Sequence, residues 1–136
     1  MQKREIPFSP PDITDAEIEE VVAALRSGWI TTGPRTKELE RRVADRCHTS
    51  NAVCLNSNTA CAELTLRALG VGEGDEVIVP AYTYTATASV ALHVGATLKM
   101  VDCAPDAFTM DYDALGAAIT ERTKVIVPVE IGRAHV

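Results

Sequence analysis

No stretch of this sequence approaches the run of about 20 apolar residues that a membrane-spanning helix needs. No CxxC pair occurs among the four cysteines, Cys47, Cys54, Cys61 and Cys103, which argues against a zinc motif and against a disulfide framework. All four read as reduced thiols of a cytoplasmic protein with no metal site. Behind the basic start, Met1-Gln-Lys-Arg-Glu, there is no apolar segment, so this end does not read as a secretory signal. Internal repeats and low-complexity tracts are lacking. So is a convincing Ser/His/Asp set. His48 follows a charged helix and His93 lies on another, and both read as surface or packing residues. Acid pairs such as Glu19-Glu20 belong to a solvated helix face. The net charge of −6 speaks against nucleic acid or an anionic membrane as a partner. What remains is a chain of 136 residues with ordinary apolar content, enough to build one domain with a core.

Short apolar runs alternate with helical patterns. Residues 1–12 are an arm punctuated by Pro7, Pro10 and Pro11. Thr14-Asp-Ala-Glu17 is a capping box, followed by the stripe Ile18, Val21, Val22 and Leu25 and a stop at Gly28. Leu39, Val43 and Cys47 mark a second amphipathic helix whose charges face water. Ala52–Leu55 predicts a strand buried on both faces. A third helix then carries Cys61, Leu64, Ala68 and Leu69 and ends at Gly70. Glu76–Val79, stopped by Pro80, is the second predicted strand, and Ala81-Tyr-Thr-Tyr-Thr-Ala86 leads into a small-residue helix. Thr97–Val101 and Lys124–Val129 are the third and fourth strands, with a helix capped by Asp111 between them. Alternation of this kind means an α/β layer with a mostly parallel sheet.

Ligands in such sheets gather at the C-terminal ends of the strands. Two features fall there. Asn56-Ser-Asn-Thr59 turns from a strand into a helix, and the amides and dipole at a helix start seat a phosphate. Tyr82-Thr-Tyr84 follows the next strand and offers an aromatic face to a flat, phosphorylated heterocycle. The same residues also suit an ordinary capped corner, with one tyrosine at the sheet edge and the other on the surface. Gly28-Trp-Ile-Thr-Thr-Gly-Pro34 holds the single tryptophan in a loop. That loop suits the lining of a pocket or interface, or equally a corner plugged by Trp29.

Several separated stretches together resemble the DegT/StrS-type sugar aminotransferases, fold-type-I enzymes that use pyridoxal 5′-phosphate (PLP). They are Gly28–Pro34, Asn56-Ser-Asn-Thr-Ala60, Gly74-Asp-Glu-Val-Ile-Val-Pro80, Tyr82-Thr-Tyr-Thr-Ala-Thr87, Gly95-Ala96, Val101-Asp102, and Ile119-Thr with Thr123-Lys-Val-Ile-Val-Pro128. The resemblance runs in order from about Ile6 to Val129. It implies that backbone N–H groups of Asn58 and Thr59, with the Thr59 hydroxyl, hold the PLP phosphate. Where this chain has Asn58 the family often has Gly or Ala, a change that keeps the amide. Tyr84 is implied to stack on the pyridine ring. Trp29, Ile30, Thr31 and Thr32 are implied to border the sugar substrate and the partner of a homodimer. The reaction implied is transfer of an amino group, usually from glutamate, to a keto group of a nucleotide-linked sugar. Members carrying the Trp-Ile-Thr-Thr loop include the maker of UDP-4-amino-4-deoxy-L-arabinose, which sets the specific expectation for the sugar.

The resemblance also marks what is missing. PLP chemistry needs a lysine and a carboxylate on the pyridine nitrogen, and in the family both come after the last matched strand. Lys3, Lys37, Lys99 and Lys124 lie in no matching setting, so no catalytic residue is assigned. Ile131-Gly-Arg-Ala-His-Val136 matches what a common sequencing adapter encodes, so we read residues 130–136 as a non-native tail on a truncated gene. The expected organisation is an arm, helix and substrate loop at 1–34, then part of the PLP-binding large domain at 35–129. In the family the strand matching Ala52–Leu55 pairs with a later strand. The other three should pair together, leaving an open edge and uncovered apolar helices that favour aggregation. The family's dehydratase branch, where histidine replaces the lysine, and a non-catalytic binding module are the competing functions.

Overall fold

The computed structural model describes residues 9–129, so the start of the proline-rich arm and the suspected tail at 130–136 lie outside the described residues. The chain divides into two units, 1–54 and 55–136.

In the first unit α1 spans Asp15–Arg26 and α2 spans Pro34–Cys47. Glu17 reaches back to the Thr14 N–H at 2.6 Å, and the Thr14 hydroxyl accepts from Ala16 N–H at 3.3 Å. This is the capping box that the spacing predicts. Pro34 opens α2, where a missing N–H costs nothing. His48 ends it in the left-handed region at φ 54°. Arg41 and Arg42 pair with Glu38 along the outer face at 2.9 and 2.7 Å. Only Gly33 and Ala44 are buried among the described residues of this unit, and Ile18, Val21, Leu25, Leu39 and Val43 are exposed. The apolar stripes are thus real in sequence and uncovered in the structure.

Ala52–Leu55 forms no strand, contrary to the sequence expectation, and Val53 is 74 % exposed. A strand exists only through its ladder, and no described strand pairs with this segment. The Cys54 amide bonds instead to the Glu40 carboxylate at 2.9 Å.

The second unit begins with α3, Asn58–Ala68, capped by the Ser57 hydroxyl, which accepts from Ala60 N–H at 3.1 Å. Then follow β1 (Glu76–Pro80), α4 (Thr85–His93), β2 (Thr97–Val101), α5 (Tyr112–Ala118) and β3 (Thr123–Ile126). The strands form one parallel sheet in the order β2-β1-β3. This is the three-stranded core expected around Val77, Leu98 and Ile126. Pro80 does not break β1 but ends it. The ring removes one donor, and the next amide, Ala81, bonds to Val101 O at 2.8 Å.

Central position buries β1 on both faces. Alternate residues Val77 and Val79 pack with Leu66, Val71, Val90 and Ala91 on the α3/α4 side. Ile78 faces Val101, Met110 and Leu115 on the α5 side. Each of these buried β1 side chains contributes roughly 2 kcal/mol. On α3 the buried residue is Leu66, with Ala62 packed beside it, whereas Leu64 and Leu69 are exposed. The stripe read from spacing is rotated because the position of β1 and α4, not the helix's own pattern, sets which side is covered.

Candidate functional site

The two features placed at the strand ends by sequence come together. A cleft of about 540 Å³ is lined by Asn58 and Thr59 from the start of α3, by Tyr84 and Thr87 from the start of α4, and by Val125 and Val127 from β3 and its extension. Ser57 caps Ala60, and Cys61 N–H bonds to Ser57 O at 3.1 Å. The amides of Asn58 and Thr59, the first two helical residues, have no hydrogen-bond acceptor among the described residues. They belong to the free donors that every helix start leaves. Among the described residues, no Lys, Arg, His, Asp or Glu lines the cleft. An anion here is met by peptide dipoles rather than by a side-chain cation. The inner wall, with Ala62, Leu66, Val90 and Val127, is apolar and suits the body of a ring.

Tyr84 is 82 % exposed and lines the rim, so its face is free for a ligand. Tyr82 is spent elsewhere, against Phe108, with ring centroids 5.2 Å apart. Of the two tyrosines that the sequence offered, only one therefore remains available. Sequence reading missed Thr83 and Thr87, whose hydroxyls meet at 2.9 Å. Their spacing, one helical turn, was the signal that could have shown them.

The Trp29–Thr32 loop lies in the first unit. Trp29 Nε1 donates to Thr32 O at 3.1 Å, closing the loop on itself. The ring lies so close over Gly33 that any Cβ there would overlap it. Ile30, Thr31 and Thr32 are exposed. Gly33→Ala should swing the ring off the loop, at a cost of about 1 kcal/mol. The expected sign is a red shift and stronger iodide quenching of the single tryptophan's fluorescence. An unchanged emission would show that the loop accommodates the methyl group.

The lysines of the described residues are engaged elsewhere or remote in sequence. Lys99 Nζ pairs with Glu76 at 3.0 Å and donates to Ala118 O at 3.2 Å. Lys124 Nζ donates to Gly70 O at 2.8 Å and pairs with Asp75 at 3.0 Å. Lys37 is on α2, in the first unit, and Lys3 lies outside the described residues.

The model of the DegT/DnrJ/EryC1/StrS aminotransferase family matches residues 11–135. The chain belongs to this family. Aminotransferases of the family use PLP, and the amides, the free tyrosine face and the apolar wall of the cleft fit that group. Spr1654 of Streptococcus pneumoniae, assigned as a sugar aminotransferase, is 68 % identical in its PMP form over 94 % of this chain and 32 % of its own, with a TM-score of 0.87. DesV of S. venezuelae, solved with a ketimine intermediate, is 39 % identical over 86 % of this chain and 32 % of its own, with a TM-score of 0.78. A GDP-4-keto-6-deoxymannose-3-dehydratase with a trapped PLP-glutamate geminal diamine is 27 % identical over 91 % of this chain and 34 % of its own, with a TM-score of 0.83. The chain thus spans about a third of the length of the solved structures it matches. The fold is an incomplete fold-type-I large domain. Among the described residues, no helix is long and apolar enough to cross a membrane.

Proposed function

We propose that this chain is the cofactor-seating part of a cytoplasmic, homodimeric PLP enzyme that moves an amino group from glutamate to a keto group of a nucleotide-linked sugar. One observation carries the reading: two unbonded amides at a helix start and a free tyrosine face line the same cleft. Asn58 and Thr59 hold the phosphate, through their N–H groups and the Thr59 hydroxyl, and Tyr84 covers the ring. When bound, PLP supplies an electron sink for the carbon that carries the amino group. The residues present here bind and orient the cofactor, and the apolar wall keeps water from one side of it. Trp29, Ile30, Thr31 and Thr32 form the sugar-side loop within residues 1–34, and residues 35–129 are the partial cofactor domain. UDP-4-amino-4-deoxy-L-arabinose is the specific product we assign, on the Trp-Ile-Thr-Thr loop. No residue of this chain is assigned as the catalytic lysine, because neither Lys99 nor Lys124 reaches the cleft. A second reading, the sugar dehydratase branch, is favoured by the likeness to the 3-dehydratase, and whether the whole enzyme presents a lysine or a histidine to the cofactor separates the two.

The chain is expected to take up PLP in equilibrium dialysis without a lasting visible absorbance band and without a lysine adduct after borohydride reduction. Tyr84→Ala should weaken uptake by roughly ten-fold. No uptake would defeat the cofactor reading. A stable band abolished by replacing Lys99 or Lys124 would defeat the view that this chain lacks the catalytic lysine.

A further inference from the structure

Tyr84 occupies the N-cap of α4, a position usually given to a side chain that bonds the first free amides. Tyrosine makes no such bond, and its own backbone is extended at φ −65° and ψ 138° while Thr85 is already helical. The ring is 82 % exposed, so packing does not fix its direction. Only the bend between β1 and α4 can. That bend is pinned at three places. Ala81 N–H bonds to Val101 O at 2.8 Å, and Thr87 N–H bonds to Tyr84 O at 3.0 Å. Both are backbone bonds, open to any residue but proline. The third is specific to side chains: Thr83 Oγ1 and Thr87 Oγ1 lie 2.9 Å apart and half-buried, one hydroxyl before the bend and one after it. Both residues are β-branched, with few rotamers to lose in forming the pair. Thr87 also lines the cleft.

We propose that Thr83 and Thr87 form a hydroxyl clasp across the bend that sets the angle at which Tyr84 meets the cofactor ring, making both of them positioning residues for cofactor recognition. The inference rests on the cofactor reading of the cleft given above. The clasp restores the order that an aromatic N-cap gives up, and does so without placing a polar group against the tyrosine face. It acts through Tyr84 and leaves the phosphate seat on α3 untouched.

The test uses the whole chain, with PLP uptake by equilibrium dialysis and inorganic phosphate as the competing probe. Thr83→Val and Thr87→Val each remove one hydroxyl while keeping the shape. Each should weaken PLP binding by about five-fold, the worth of one hydrogen bond. The double variant should be no weaker than either single one, since both remove the same bond. In a Tyr84→Ala background the valine changes should have no further effect. Phosphate affinity should stay constant throughout, and Thr87→Ser should restore PLP binding. Valine variants that bind like the unmodified chain, additive losses, losses that persist without Tyr84, or a parallel loss of phosphate affinity would each overturn the clasp. If the unmodified chain takes up no PLP, the cofactor reading fails and the clasp with it. If uptake is normal and insensitive to valine, only the clasp fails.

Discussion

Asn58→Pro should lower the affinity of the cleft for PLP, and for inorganic phosphate, by roughly ten- to hundred-fold while leaving α3 in place. Asn58 is the first residue of the helix after the Ser57 cap. Proline is tolerated there because it removes a donor the helix never uses and has the right φ already. The preceding residue must be extended, and Ser57 is, at φ −161° and ψ 157°. The substitution therefore deletes that N–H and the Asn58 carboxamide while keeping the helix start. Asn58→Ala, which loses the carboxamide alone, isolates the part due to the N–H. A hydrogen bond from that N–H to a phosphate is charge-assisted, and among the described residues no lysine or arginine lines the cleft to make up for it. Isothermal titration with phosphate, alongside far-UV circular dichroism, separates loss of the donor from loss of the helix. Unchanged phosphate binding with helix content preserved would mean that the anion sits elsewhere.

The second large effect lies at the opposite end of β1. Glu76 is a fully buried carboxylate at the start of the central strand. The Thr120 hydroxyl donates to it at 2.6 Å and Lys99 Nζ lies 3.0 Å from the same oxygen. Arg122 Nη2 is 2.6 Å from the other oxygen, as an ion pair too far off line for a hydrogen bond. These partners come from β2 and from the turn before β3, and Glu76 N–H itself bonds to Arg122 O at 2.8 Å. One side chain therefore ties β1 to β2 and to the turn that leads into β3. The Thr120 hydroxyl first, then Lys99, hold its carboxyl down at about 2 from an ordinary 4.5, outweighing the burial that pushes it up. Because the folded value lies below the unfolded one, the stabilisation is complete above about pH 4.5 and is lost as pH falls toward 2. Glu76→Gln should lower the melting temperature at pH 7 by about 5 °C, since Lys99 loses its counter-charge and the Thr120 bond loses its charge-assisted acceptor, while Arg122, 66 % exposed, turns to water. It should also flatten the loss of stability between pH 4.5 and 2. Calorimetry over that range reads both. A Gln variant with the parent's melting temperature would show that the cluster is ornamental to folding.

Much of this molecule was legible in its residue spacing. Thr14-x-x-Glu17 and Asp111 announced two helix starts that cap as read, and within the turn Asn56–Thr59 the structure selects Ser57 as the cap of a third. Such bonds span three residues or fewer, so distant structure has little chance to override them. Ala52–Leu55 was misread for the converse reason. Its composition is that of a strand, but a strand needs a neighbour, and no described strand supplies one. Leu64 and Leu69 were expected to face inward by periodicity, yet Leu66 does. Periodicity tells that a helix has a covered side, not where the sheet will be.

Local chemistry by itself determined the alternation of strands and helices, the phosphate-ready turn at Ser57-Asn58-Thr59 and the membership of a family whose motifs recur in order. Tertiary structure alone decided that Asn58, Thr59 and Tyr84 open onto one cleft, that Tyr82 is consumed by Phe108, and that Thr83 reaches Thr87 across the bend. It also decided that Lys99 and Lys124 are held at Glu76 and Asp75 rather than at the cleft. The physical reason is range. Caps and turns are settled among neighbours along the chain, whereas the sharing of a cleft, a ring face or a buried charge depends on which parallel strands lie side by side.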